Sequence, residues 1–218
     1  MVKSGRKLFV AEMFSSIQGE SSYAGLPCTF IRLAGCNLNC VYCDTVYARE
    51  GGKVFSLDRI IKFVRKQSNE LVCVTGGEPL LQDAVRDLIA VLIEMEKRVI
   101  VETNGSMPIN KIPSQAIRVV DVKTPASGEA ESFYMRNLEE IKADDEIKFV
   151  VCDKRDFVWA LDFIKSNTLE KKCKLLISPA YGLVTADKAA KWILDSGLDL
   201  RLNIQLHKVI WGADARGV

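Results

Sequence analysis

No apolar run in this 218-residue sequence approaches the ~18 residues needed to cross a bilayer, so a membrane-spanning protein is not expected. The opening MVKSGRKLFVAEMF carries basic residues but no apolar segment long enough for a secretion signal. Charge of one sign is also lacking. The 30 basic and 28 acidic residues leave a net charge of +2, too balanced to mark a nucleic-acid-binding protein. There is no linker, low-complexity tract or internal repeat, so residues 1–218 are expected to form a single domain, one large enough to bury a sizeable core. Histidine is nearly absent, with His207 standing alone. A cytoplasmic protein with no membrane and no direct nucleic-acid partner is the expectation.

Cysteine, by contrast, is plentiful. The seven are Cys28, Cys36, Cys40, Cys43, Cys73, Cys152 and Cys173. An odd number in a chain of this size, with no secretion signal, argues against a disulfide framework. Four sit singly in or beside apolar strand-like runs, as small buried hydrophobes do. The other three fall within GCNLNCVYCDT (35–45) and need a different explanation.

Six short, nearly continuous apolar runs read as strands buried on both faces: 29–35, 71–77, 98–105, 117–125, 145–151 and 174–180. The run at 200–210 is a candidate for a further strand. Helical periodicity falls between several of them, over 56–67, 81–98, 154–167 and 185–197. Ser56 is placed to cap the first of these helices, and Thr185 and Gly197 bracket the last. Strand–helix alternation predicts an α/β fold with a mostly parallel, curved sheet, a partial barrel of about six units rather than the usual eight. Ligands of such folds bind at the carboxyl ends of the strands. Polar clusters gather there: Thr75-Gly76-Gly77-Glu78, Glu102-Thr103-Asn104-Gly105, Lys123-Thr124-Pro125 and Ser178-Pro179.

Structural zinc wants four closed ligands, and no second Cys-x-x-Cys pair is present to complete them, although His207 or a distant cysteine could supply one more. Three thiolates at Cys-x3-Cys-x2-Cys instead favour a [4Fe–4S] cluster with one iron left open to a small molecule. A zinc-stabilised binding module is the rival from a different class.

CNLNCVYC, with Cys36, Cys40, Cys43 and the aromatic Tyr42, resembles the cluster motif of the radical S-adenosylmethionine (SAM) superfamily. GGEP (76–79) resembles its second hallmark, which meets the amino group of SAM. FSSIQGESSYAGLPCTFIRLAGCNLNCVYCDT (14–45) and the late QLHK (205–208) are similar to the 7-carboxy-7-deazaguanine synthase family, and the likeness runs from about Glu12 to Val218. The gap between the first two cysteines is the superfamily's usual three residues, whereas some members of this family carry a longer one.

That resemblance implies a lyase that rearranges 6-carboxy-5,6,7,8-tetrahydropterin to 7-carboxy-7-deazaguanine and releases ammonia, on the route to queuosine and other 7-deazapurines. It implies a [4Fe–4S] cluster on Cys36, Cys40 and Cys43, SAM regenerated in each turnover, and Mg²⁺ on Thr45. It also implies an electron donor such as flavodoxin or ferredoxin, and a homodimer. Ile17, Gln18, Gly19, Arg32, Thr75 and the Val218 carboxylate would hold the substrate. Tyr42, Asp44, Gly76, Gly77, Glu78, Asn104 and Lys123 would meet SAM, with Ser178, Pro179, Ala180 and Tyr181, the register at Lys123 and at 178–181 being open. Glu102 and His207 would act near the reacting centre. A glycyl-radical activating enzyme shares the three thiols and the SAM rim. Arg32 behind an IQGE segment argues against it.

Overall fold

The computed structural model describes residues 6–218. Its strands are β1 (Lys7–Ile17), β2 (Pro27–Leu33), β3 (Lys53–Ser56), β4 (Leu71–Gly76), β5 (Arg98–Thr103), β6 (Ile117–Asp121), β7 (Glu146–Val151), β8 (Lys174–Pro179) and β9 (Arg201–Leu202). Its helices are α1 (Tyr47–Glu50), α2 (Leu57–Arg65), α3 (Val85–Glu94), α4 (Asn137–Glu140), α5 (Lys154–Ser166), α6 (Ala186–Ser196) and α7 (Leu206–Trp211). The strands form one sheet in the order β3-β1-β2-β4-β5-β6-β7-β8-β9. Pairing is parallel from β2 to β9, and β1 runs antiparallel to both β2 and β3. The end strands β3 and β9 do not pair with each other, so the sheet is open.

All six predicted strands are present, as β2 and β4 to β8. The hairpin-like pairing of β1 with β2, and β3 beyond it, was not among the expected elements. The predicted strand over 200–210 is corrected. Only Arg201–Leu202 pairs, and the chain then turns into α7. The Asn203 side chain leaves the ladder to bond Ser21 N at 2.7 Å and Ser178 Oγ at 2.8 Å. Leu206 N then bonds Gly19 O at 2.9 Å, which draws the segment toward the loop after β1.

The predicted helices are found with trimmed ends. Ser56 Oγ accepts from Arg59 N at 3.3 Å and caps α2. The helix expected from 81 starts only at Val85, because the Gln82 amide is spent on Phe9 and Ala34 backbone and holds that residue extended. Thr185 precedes α6 without a side-chain cap bond, and Gly197 closes it at φ 68°.

The period of two in a strand sorts the core. Ile31, Leu33, Val72, Val74, Val99, Val101, Ile147 and Phe149 face outward under the helices. Cys28, Phe30, Leu71, Cys73, Ile100, Ile117, Val119 and Leu176 face inward and plug the lower end of the curve, where Phe14 stacks on Phe30 at 4.8 Å. Continuing each inward series one step toward the carboxyl end replaces hydrocarbon with polar groups. Among the described residues no helix is long and apolar enough to cross a membrane.

Candidate active site

Arg32, Thr75, Glu102, Asp121, Lys148 and Ser178 form that next inward layer, one from each of β2 and β4 to β8. All six line one cavity of about 660 Å³ at the carboxyl end of the sheet. The apolar plug beneath it shields the layer from water below.

The cysteine loop forms one wall. Cys36, Cys40 and Cys43 all line the cavity. The loop is fixed at both ends by backbone: Gly35 N bonds Ala48 O at 2.8 Å, and Val41 N bonds Ser127 O at 3.0 Å. The strand-end glycines set the approach distance. A Cβ on Gly77 would fall 2.2 Å from Gly35 O and 2.7 Å from Cys36 Cβ, so only glycine lets the β4 loop lie against the first cysteine. The Asn104 amide donates to Cys36 Sγ at 3.8 Å and to Asn37 Oδ1 at 3.1 Å. Glu78 is different from its neighbours. Its side chain is fully buried, does not line the cavity, and accepts from Leu80 N, Thr103 Oγ1 and Asn104 N. As a side chain it braces the loops that carry Gly77 and Asn104.

Charges alternate across the floor. Lys123 Nζ lies 2.8 Å from Asp121 Oδ2, and Lys148 Nζ lies 3.6 Å from the same oxygen and 3.1 Å from Glu20 Oε2. Burial raises the Asp121 carboxyl, but Lys123 and Lys148 outweigh it and hold it below its usual range. Burial opposes the Lys148 charge, and Glu20 and Asp121 outweigh that, holding the ammonium well above its ordinary value. Glu102 accepts from Thr75 Oγ1 at 2.9 Å and from the Gln18 amide at 3.3 Å. Arg32 Nε donates to Glu12 Oε1 at 2.8 Å, and Tyr47 Oη donates to the same oxygen at 2.6 Å. On the opposite side Asp44 accepts from Lys208 Nζ at 2.7 Å, the Gln205 amide at 3.0 Å and Thr45 Oγ1 at 2.9 Å. Burial lowers the His207 imidazole against the pull of Glu20, so the ring is neutral near pH 7.

Of the site residues expected from sequence, all but Glu78 line this cavity. Ile17, Gln18 and Gly19, Arg32, Tyr42 to Thr45, Thr75 to Gly77, Glu102, Asn104, Lys123, the 178–181 segment, His207 and Val218 converge there with the three thiols. Glu12, Glu20, Asp121, Lys148 and Lys208 also line it and were not singled out. Glu20 and Lys208 lie inside the IQGE and QLHK segments, whereas no motif flags Glu12, Asp121 or Lys148. For Asp121 and Lys148 the available signal is a charge in an otherwise apolar strand, in phase with the inward series.

Residues 30–121 match the Radical SAM superfamily. The 7-carboxy-7-deazaguanine synthase of Koribacter versatilis is 41% identical, over 96% of this chain and 99% of the relative. The one of Chlorobaculum tepidum is 39% identical over 97% of each chain. The chain belongs to the 7-carboxy-7-deazaguanine synthase family. The 7-carboxy-7-deazaguanine synthase of Methanospirillum hungatei agrees, at 42% identity over 95% of this chain and 86% of its own. Among solved structures, QueE from Escherichia coli superposes with a TM-score of 0.77 at 23% identity, covering 92% of this chain and 95% of that one, a likeness of fold.

As a member of this family the protein is a radical SAM enzyme that uses a [4Fe–4S] cluster and SAM. The residues present fit both. Three thiols share one wall, and two buried polar atoms on the cavity, Tyr42 Oη and Asp121 Oδ1, have no hydrogen-bond partner among the described residues. Buried polar atoms of this kind are ordinarily satisfied, so a polar ligand suits both. Among the described residues no three Cys, His, Asp or Glu side chains stand close enough to make a metal centre by themselves. The loop carrying the thiols has little regular secondary structure, so it can draw in around iron, and metal binding and local folding are coupled. Burial raises the Cys40 thiol while Lys123 pulls the other way, toward the thiolate that ligation needs.

Proposed function

We propose that this chain converts 6-carboxy-5,6,7,8-tetrahydropterin to 7-carboxy-7-deazaguanine with release of ammonia, acting as a single radical SAM domain in 7-deazapurine and queuosine biosynthesis. The observation that carries this reading is the meeting, in one cavity, of the three thiols with Arg32, the Ile17–Gly19 turn and the 213–218 tail. When bound, the cluster and SAM would supply the radical chemistry that removes a hydrogen atom from the substrate.

The chain's own residues bind, orient and shield. Cys36, Cys40 and Cys43 would ligate three irons. The close approach at Gly77 and the Asn104 amide fix the cluster wall, and Tyr42, Gly76, Lys123 and the 178–181 segment line the SAM side. Glu12 takes the Nε edge of Arg32, which leaves the terminal N–H pair for the substrate carboxylate, a planar two-donor match. Burial works against the Arg32 charge, and the Glu12 and Glu102 carboxylates outweigh it, so the guanidinium stays cationic. Glu102, anchored by Thr75 and Gln18, offers a carboxylate to pterin N–H donors, and the neutral His207 stands beside Gly19. Thr45 donates its proton to Asp44, which leaves the hydroxyl oxygen free as a ligand for Mg²⁺. One protein oxygen suffices where waters and the substrate carboxylate complete the shell.

The reading also includes a homodimer in the cytoplasm and an electron donor such as flavodoxin or ferredoxin. It is tested by incubating anaerobically reconstituted protein with SAM, reductant, Mg²⁺ and the carboxylated tetrahydropterin. Mass spectrometry should find the deazaguanine, 17 mass units of ammonia lighter than its precursor. Intact pterin alongside SAM cleavage would rule the substrate out, and a colourless zinc protein would rule out the chemistry.

A further inference from the structure

Tyr47 sits between two things that otherwise do not touch. Its hydroxyl donates to Glu12 Oε1 at 2.6 Å, the oxygen that also holds Arg32 Nε. Its ring carries the Arg216 guanidinium, whose central carbon lies 4.3 Å from the ring centroid. Residues 213–218 line the mouth of the same cavity as Arg32. Among the described residues no acidic side chain forms an ion pair with Arg216, so the aromatic face is its anchor.

We propose that Tyr47 is a positioning residue that ties closure of the 213–218 tail to the orientation of Arg32. The hydroxyl fixes the Glu12 carboxylate, which fixes the guanidinium edge-on and aims its terminal N–H pair into the cavity. The ring fixes Arg216, which lays the tail across the mouth. A guanidinium on an aromatic face is a moderate, reversible contact, suited to a strap that opens for each substrate. The proposal rests on the substrate reading above in one respect: the anionic group that Arg32 receives is the pterin carboxylate.

Three variants separate the two arms. Tyr47→Phe removes the hydroxyl and keeps the ring, Arg216→Gln removes the cation, and Tyr47→Leu removes both contacts. Tail release is read by carboxypeptidase trimming of the SAM-loaded holoenzyme, followed by intact mass. Trimming should speed by roughly threefold to tenfold for Arg216→Gln and Tyr47→Leu, and stay at the wild-type rate for Tyr47→Phe. The KM for 6-carboxy-5,6,7,8-tetrahydropterin should rise roughly tenfold for Tyr47→Phe, with kcat and iron content little changed. Tyr47→Leu should carry both effects. Wild-type trimming of Tyr47→Leu would overturn the strap, and an unaltered KM in Tyr47→Phe would overturn the link to Arg32. Trimming needs no turnover, so a tail that is released as described in a protein that makes no deazaguanine would leave the strap standing and sink the substrate reading.

Discussion

His207 packs its imidazole directly on the backbone of Gly19: a Cβ there would fall 2.1 Å from Nδ1 and 2.8 Å from Cγ. The contact joins the IQG turn after β1 to the first turn of α7, and the Leu206 N to Gly19 O bond of 2.9 Å reinforces it. Gly19→Ala must therefore push the ring aside, and it moves the one neutral imidazole of the cavity. The expected result is a substrate KM at least tenfold higher, at unchanged iron content and SAM binding. Steady-state kinetics with an iron assay check it. A mutant with wild-type KM would show that the ring position is immaterial.

The seven cysteines should divide three to four. Cys36→Ala, Cys40→Ala and Cys43→Ala should each lower bound iron and abolish SAM cleavage. Cys28 and Cys73 are fully buried in the inward plug, and burial pushes Cys28 up to about 12 and Cys152 and Cys173 to about 11, so these remain thiols. Substituting any of the four with Ala should leave iron and the visible spectrum intact. Loss of iron from one of them would mean that the cluster has no open site.

How much of this was readable from sequence follows from what carries each signal. The six parallel strands announce themselves because both faces are buried, so they are apolar throughout. β1 does not, since its FVAEMFSSI mixes apolar and polar residues without a clean period and is mostly half-buried beside the antiparallel β2 and β3. The 200–210 run misled because its apolar residues belong to a two-residue strand followed by a short helix, and only long-range bonds from Asn203 and Leu206 decide where it turns. The cysteines and glycines were legible through fixed spacing. Asp121 and Lys148 have no motif, and only counting by twos along β6 and β7 places them inward. Glu78 reads like a site residue in GGEP, yet three local donors consume its carboxylate.

Arg32 has a structural partner in Glu12, and that makes a double-mutant test possible. Arg32→Ala removes the carboxylate anchor and leaves Glu12 without its cation. A lost hydrogen bond to a charged group costs about 1.5–3 kcal/mol, roughly tenfold to a hundredfold in affinity. Substrate KM should rise by that factor, while Kd for SAM stays the same. Adding Glu12→Ala should recover thermal stability but not KM. Recovery of KM in the double mutant would show that Arg32 serves only the ion pair. Thr45→Ala provides the contrast, weakening the dependence on Mg²⁺ without altering SAM binding.

Lys148 sits largely buried between two carboxylates, and its removal should create a pH dependence. In the wild type the Glu20 and Asp121 carboxyls lie below their ordinary range, so their stabilisation is present above about pH 4 and is lost as pH falls through the folded values. Lys148 is raised, so its contribution is present below about pH 10 and is lost only at higher pH. Between pH 5 and 8 the Tm of the wild type should be nearly flat. Lys148→Met leaves the Glu20 carboxyl to burial, which raises its pKa, while Lys123 still pairs with Asp121. Its Tm should fall as pH rises over that window, with about 3–5 kcal/mol lost at the upper end. A flat profile for Lys148→Met would mean that water reaches the floor of the cavity.

The most direct measurement counts two products in one incubation. Anaerobically reconstituted protein with Mg²⁺, reductant, SAM and excess 6-carboxy-5,6,7,8-tetrahydropterin is quenched over time, and 7-carboxy-7-deazaguanine and 5′-deoxyadenosine are quantified together. The account predicts deazaguanine in large excess over 5′-deoxyadenosine, because SAM is returned intact after each turnover in a shielded cavity. Accumulating 5′-deoxyadenosine beside unchanged pterin would contradict it.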